Sequence, residues 1–307
     1  MKLLTLIRNY FYTMIINFLF KSIKFVRSRR RISRQIRKNS AINDLIPLSQ
    51  SNKNDLSIII VTFEARFFDF TLPLITTLRS VTDIPIFVIV NGNYKKKFNH
   101  DTLQIFLERL LVFSNIYPTV FSNFRGCAEL WNTGIVNADS QYNLILNDDI
   151  HVFPKQLNNV ISTLCELLQN HHLVTINHAF SHFGITRQCI QDVGFFDEHF
   201  LGMGEEDRDY AFRYEAHFKK KHFDLTTEVF LNISDESRDE AVTRVKSDNY
   251  TRKYSMFNTK IFKELYEPDS SSTITGVYDL PMRRKNIFID PRPLWKFRIS
   301  NQEKLSE

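Results

Sequence analysis

The stretch Leu56–Phe63, LSIIIVTF, contains eight residues, none of them charged. A strand can bury such a run only when both of its faces are covered, a condition met inside a parallel sheet flanked by helices. Comparable apolar runs follow as IPIFVIV, YPTVF, YNLILN and LVTIN. Between them lie stretches of helical length near residues 69–80, 101–113 and 127–138, and Pro154 opens a further helix. Strands that alternate with helices predict an α/β fold with a mainly parallel central sheet. In such folds ligands collect at the carboxyl ends of the strands. The polar, turn-rich stretch 39–55 reads as a linker, so the domain is expected over residues 56–265, with a C-terminal tail at 266–307.

Composition narrows the class. A chain of 307 residues with 43% apolar content can bury a full core. Low glycine and proline exclude collagen-like and disordered chains. Cys127, Cys165 and Cys189 are odd in number and lack metal-ligand spacing, so they read as reduced core residues. The formal charge of +6 is unevenly distributed. Residues 1–43 hold eleven Lys or Arg and no acid, which leaves 29 basic against 34 acidic residues downstream, about −5. A mildly acidic globular part argues against nucleic acid as a partner.

The basic charge belongs to a leader. Residues 3–20, LLTLIRNYFYTMIINFLF, carry large apolar side chains, with Thr5, Asn9, Thr13, Asn17 and Lys21 forming a narrow polar stripe on a helix. The segment KSIKFVRSRRRISRQIRK then adds nine positive charges. Residues 1–38 are therefore expected to form a membrane-associating helix on an anionic membrane surface, lying in the interface or barely spanning. The charge should hold the downstream domain at the cytoplasmic face of the membrane. A cleaved signal peptide fits poorly, because no small-residue site follows the apolar run. A solvated basic arm is the alternative.

Two acidic segments carry the chemistry. Asn147-Asp148-Asp149 directly follows the apolar strand YNLIL, where its carboxylates can bind Mg²⁺ or Mn²⁺ with a nucleotide diphosphate completing the shell. The same triplet is also good turn chemistry. Gly202-Met203-Gly204-Glu205-Glu206-Asp207-Arg208-Asp209 places acids at the start of a helix, where the macrodipole favours them. Their mutual repulsion also suits a carboxylate that takes a proton from an acceptor hydroxyl.

In this order the segments resemble a GT-A-fold glycosyltransferase of the family 2 type. The resemblance runs over about residues 56–218: LSIIIVTF, then Gly126-CAELW-Asn132-Thr133-Gly134-Ile135, the triplet ending in Asp149, ITRQCIQDVGFFDEHF, and Gly204 through Asp209 with Arg213 beyond. It implies a nucleotide-sugar donor, a glycan or lipid-linked acceptor and a divalent metal. Asp149 would be the main metal ligand and Asp148 would face the nucleotide or ribose. Asp207 would be the general base with Glu206 beside it, and Thr62, Asn91 and Asn132 would lie at the donor. It further implies inversion by direct displacement and a role in bacterial surface glycan synthesis.

Three departures stand out. Asn147 replaces the first acid of the triplet, Asn91 stands where the family has a base-contacting Asp, and the later stretch FDLTTEVFLNISDES, expected as one strand, lacks the metal-binding His that many relatives carry there. His217 and His222 come too early to substitute, and the nine His read as surface or core residues. Trp131 and Trp295 read as structural rather than sugar-stacking. A sugar-nucleotide nucleotidyltransferase is one alternative, though TFEARFFDF lacks the glycines of a phosphate loop. A non-catalytic membrane-tethered assembly protein with a degenerate transferase fold is another.

The leader generates a direct test. Deleting residues 1–38 is expected to move the protein from the membrane to the soluble fraction while the core stays folded. The full chain should prefer anionic over neutral vesicles, and salt should weaken binding only in part, since burial of Leu, Ile and Phe persists. Vesicle co-sedimentation checks this. Complete release by salt alone would reduce the leader to a basic arm.

Overall fold

The computed structural model describes residues 55–93, 97–233, 250–268, 282–286 and 289. The leader 1–38, the linker as far as residue 54 and Trp295 lie outside them. Among the described residues no helix is long and apolar enough to cross a membrane.

The chain enters as β1 (Leu56–Phe63), makes a 3-10 turn (Glu64–Arg66) and a π-type turn (Phe67–Thr71), and continues into α1 (Leu72–Arg79). There follow β2 (Ile86–Asn91), α2 (His100–Leu110), β3 (Ile116–Val120), α3 (Cys127–Ala138) and β4 (Tyr142–Asn147). After β5 (Ile150–Val152) come α4 (Pro154–His171), β6 (Leu173–Ile176), β7 (Ala179–Thr186) and α5 (Arg187–Val193). The described remainder is α6 (Glu206–Phe218), β8 (Phe223–Leu225), β9 (Phe230–Asn232), α7 (Tyr250–Leu265), β10 (Tyr266–Pro268) and β11 (Met282–Arg284).

Among the described residues seven strands form one sheet in the order β3-β2-β1-β4-β7-β6-β8. The pairs β1–β2, β2–β3, β1–β4 and β6–β8 are parallel, whereas β7 runs antiparallel to both β4 and β6. The sheet is thus mixed and mainly parallel. The strand β4, which ends immediately before Asp148 and Asp149, sits where the parallel half meets the antiparallel half.

The eight-residue run that opens the domain behaves as its composition demands. Ile58 and Ile60 join the apolar layer formed with α1, α2 and α4, while Ile59 and Val61 join the layer under α3, α5 and α6. Strand side chains alternate faces, so an uninterrupted apolar run fills two cores at once. Ile58, Ile59 and Ile60 are fully buried, each contributing about 1.5–3 kcal/mol relative to exposure. Gly134 lets α3 close on this strand: a Cβ there would lie 2.3 Å from Ile59 Cγ2. Trp131 is buried in the same layer, edge-on to Phe183 and Phe196, which is the structural role read from the sequence. All three cysteines are free thiols.

Two expectations need correction. The stretch FDLTTEVFLNISDES is not one strand. It divides into β8, which pairs with β6, and β9, which pairs with β5 in a separate two-stranded sheet. The strand β7, AFSHFGIT, did not register as a strand in the sequence, because Ser181, His182 and Gly184 interrupt its apolar pattern. Gly184 is required by packing, since a Cβ would sit 2.9 Å from Leu164 and Leu168 of α4.

The described part of 266–307 is fastened to the domain. β10 and β11 pair as an antiparallel hairpin, and Ile289 bridges Gly194 through its backbone. From β11, Arg284 reaches a buried acidic centre. It pairs with Asp197 and lies 2.8 Å from Asp209 Oδ1. Arg213 Nε donates to the other oxygen of Asp209 at 2.8 Å, and the Tyr266 hydroxyl donates to Oδ1 at 3.0 Å. His199 Nδ1 lies 2.5 Å from Asp197. Burial alone would raise the Asp197 pKa. The hydrogen bond and charge of His199, together with Arg284, outweigh it and pull the pKa down to about 2.

Replacing Arg284 by Ala leaves these carboxylates with fewer counter-charges. Breaking a buried ion pair typically costs 3–5 kcal/mol. The remaining partners Arg213 and His199 put the expected loss near the lower end, about 3 kcal/mol. Urea denaturation of the two proteins measures it, and a change below about 0.5 kcal/mol would show that the hairpin does not stabilise the domain.

Candidate active site

Strands β1, β2, β3 and β4 run in one direction, so their carboxyl ends share one edge of the sheet. The expected residues Thr62, Asn91, Asn147, Asp148 and Asp149 all sit at that edge. The N-terminus of α3 lies there too, because α3 follows β3. The acidic loop 202–206 joins it through a hydrogen bond from Cys127 N to Gly202 O of 2.6 Å. Two acidic segments about fifty residues apart in sequence therefore share one rim.

Asp148 and Asp149 are 2% and 4% exposed. Their counter-charge is Arg66, a residue the sequence reading did not single out. Its Nη1 donates to Asp148 Oδ1 at 2.6 Å and lies 3.3 Å from Asp149 Oδ2. The guanidinium packs 4.7 Å from the Phe63 ring centroid and 5.7 Å from that of Phe70. Burial pushes Asp148 up to about 6, against the opposing charge of Arg66. Burial would also lower the Arg66 pKa, but the two carboxylates outweigh it and leave that pKa raised. Thr62 is fully buried behind this pair and hydrogen-bonds Thr71 of the π-type turn.

Asn91 and Asn132, expected at the donor, make protein contacts. Asn91 Nδ2 donates to Arg125 O at 3.0 Å, and its Oδ1 accepts from Arg125 N at 2.8 Å. Asn132 Nδ2 donates to Phe196 O and to Glu198 Oε1, while its Oδ1 accepts from Phe196 N. Asn91 thereby ties β2 to the loop before α3. Asn132 ties α3 to the FFDEHF segment.

The acidic loop is shaped by backbone geometry. Gly202, Gly204 and Glu205 have positive φ values of 64°, 114° and 76°, so a non-glycine residue occupies the left-handed region just before α6. Asn258 of α7 braces the loop. Its Oδ1 accepts from Leu201 N, and its Nδ2 donates to Leu201 O and Gly204 O. Glu206 is 3% exposed and accepts from Gly204 N at 2.5 Å. Burial, reinforced by the charge of Asp207, pushes Glu206 up to about 8. Asp207 is only half-buried and stands at the open side of the helix start. Asp209 belongs to the structural centre described above.

The residues fit a divalent cation by donor chemistry. Asp148 Oδ2 and Asp149 Oδ1 are buried carboxylate oxygens with no hydrogen-bond partner among the described residues. Hard cations take such oxygens and let substrate phosphates complete the shell. Among the described residues no group of three His, Cys, Asp or Glu converges as a metal site. His182 of β7 is 2% exposed, with Nε2 unpartnered and Nδ1 2.8 Å from Ser181 Oγ. Burial pushes it down to about 4, against the pull of Asp149 and Asp224. A surface groove of about 520 Å³ lined by Val136, Asp139, Asn143 and Arg187 lies at the opposite, amino edge of the sheet and includes none of these acids.

Glu206 predicts a pH effect. Its pKa is raised from 4.5 to about 8 on folding, so the stability it contributes is complete below about 4.5 and lost as pH rises through about 8. Glu206→Gln cannot ionise and should flatten that loss. The difference in melting temperature between wild type and variant, measured from pH 5 to 9, should shift steadily in favour of the variant. A constant difference would rule out a buried, protonated Glu206.

No protein-family model matches the chain, and no curated protein does. Solved structures are similar at low identity. S. aureus TarS 1-349 in complex with UDP is 13% identical, with 56% of this chain and 60% of that one covered and a TM-score of 0.41. The mannosyltransferase PcManGT from Pyrobaculum calidifontis, in complex with GDP-Man and Mn²⁺, is 12% identical, covering 68% and 65% at a TM-score of 0.44. GalNAc-T7 with UDP, GalNAc and Mn²⁺ is 10% identical, covering 61% and 46% at 0.47. The chain thus spans less than two thirds of each of these proteins.

Proposed function

We propose that this protein is a metal-dependent, inverting glycosyltransferase of the GT-A type, moving a sugar from a nucleotide-sugar donor to a hydroxyl acceptor. One observation carries the reading: a buried, cation-paired acidic couple and a half-buried carboxylate at a helix start meet on the carboxyl rim of one sheet. The first suits a diphosphate and its metal, the second an acceptor hydroxyl.

Asp149, with Asp148 beside it, would hold the metal, which when bound supplies positive charge to offset the leaving diphosphate. Asp207 accepts the acceptor proton. The acceptor oxygen forms its bond to the anomeric carbon as the carbon–oxygen bond to the diphosphate breaks, and the electron pair leaves with the nucleoside diphosphate. Attack from the face opposite the leaving group inverts the anomeric configuration. Glu206, held protonated by burial, keeps a second negative charge away from the base. Asp148 faces the nucleoside side of the rim in this reading, Thr62 backs it from within the fold and not at the donor itself, and Asn91 and Asn132 fix the loops around it. A basic, apolar leader would place the reaction at the cytoplasmic face of a membrane, on a glycan or lipid-linked acceptor of a bacterial surface polymer.

Release of nucleoside diphosphate from a panel of sugar nucleotides tests the proposal. Asp207→Asn should lower transfer by about 10²–10⁴ while donor affinity is preserved. An equal loss of donor affinity would assign Asp207 to the donor site. Turnover of pyrophosphate would point to a nucleotidyltransferase, and absence of any turnover to a non-catalytic scaffold.

A further inference from the structure

Arg66 has no part in the chemistry proposed above, yet it occupies the centre of the acidic couple. Its Nη1 contacts both carboxylates, at 2.6 Å to Asp148 and 3.3 Å to Asp149. Arg66 is 6% exposed, and the remaining oxygens, Asp148 Oδ2 and Asp149 Oδ1, are occluded as well as unpartnered. Its own Nε is also buried without a partner among the described residues. The guanidinium therefore satisfies the charge of the couple while leaving three polar atoms unmet. Phe63 and Phe70 pack against it, and the π-type turn Phe67–Thr71 directly follows it. Single π turns inside helical segments recur at functional sites.

A second cation brought to these oxygens would meet a fixed positive charge already on the same two carboxylates. Like charges at this range in a buried site repel strongly. We propose that Arg66 is a built-in competitor of the divalent metal at Asp149. It neutralises the couple while the donor is absent and yields Asp149 when metal and diphosphate arrive together. This inference rests on the reading of Asp149 as a divalent-cation ligand. It makes Arg66 a positioning residue that couples metal binding to donor binding.

Binding of Mn²⁺ alone, without nucleotide, tests the idea by calorimetry on the full chain. A residue that merely supported the site would weaken Mn²⁺ binding when removed. A competitor must strengthen it. Arg66→Gln keeps a donor for Asp148 but removes the charge, and Mn²⁺ should bind about tenfold more tightly than to wild type. Arg66→Lys keeps a cation on Asp148 but lacks the planar fork that spans both acids, so it should fall between the two. If Arg66→Gln does not fold, the comparison of Arg66→Lys with wild type decides on the same criterion. Unchanged or weaker Mn²⁺ binding in the Arg66 variants overturns the competition. If Asp149→Asn still lowers the wild-type affinity in that case, the metal reading survives. If Asp149→Asn has no effect on Mn²⁺ binding, both fall together.

Discussion

Taking a carboxylate out of water is expensive unless a partner takes up its charge, and this protein does so repeatedly. Asp148, Asp149, Asp197, Glu206 and Asp209 are each less than 5% exposed. The architecture around them is a set of answers to that cost. Asp209 and Asp197 are met by Arg213, Arg284, Tyr266 and His199. Asp148 and Asp149 are met by Arg66. Glu206 pairs with no cation among the described residues and instead retains its proton. Three solutions to one electrostatic problem separate a structural centre, an arginine-paired couple and a neutral acid along a single acidic neighbourhood.

The separation assigns labour within the motif Gly204 through Asp209. Read as a string, its four acids look equivalent. In the fold, Glu206 and Asp209, three residues apart and so on one face of the first turn of α6, are buried, and Asp207 keeps partial exposure. Helical geometry explains the split, since consecutive positions are rotated by about 100° and reach different neighbours. The turn before the helix is fixed by Asn258, which sits more than fifty residues later in the chain.

Much of the fold could be read from the chain itself. The boundaries of α3 and β4 coincide with those expected, 127–138 and 142–147, because a helix-period pattern and an apolar run are both local properties. The strand β7 was hidden because its polar His182 and its Gly184 are tolerated only through contacts with β4 and α4. The stretch after α6 was misread as one strand because its apolar residues do not reveal that two sheets share them. The acids of the rim were visible, since charge at the end of an apolar strand is a local signal.

The partners of those acids were not visible. Arg66 is one basic residue in an aromatic turn, Arg284 lies 75 positions beyond Asp209, and Asn258 lies on a helix with an ordinary amphipathic pattern. What the sequence alone determined is the layered α/β architecture and the placement of carboxylates at the carboxyl edge, because apolar periodicity and strand ends are set by neighbours a few residues away. What only the tertiary structure decided is which carboxylates are paired, which is protonated and which remains open to solvent. Charge compensation acts through space, over a few ångströms, between residues whose separation along the chain carries no trace of it.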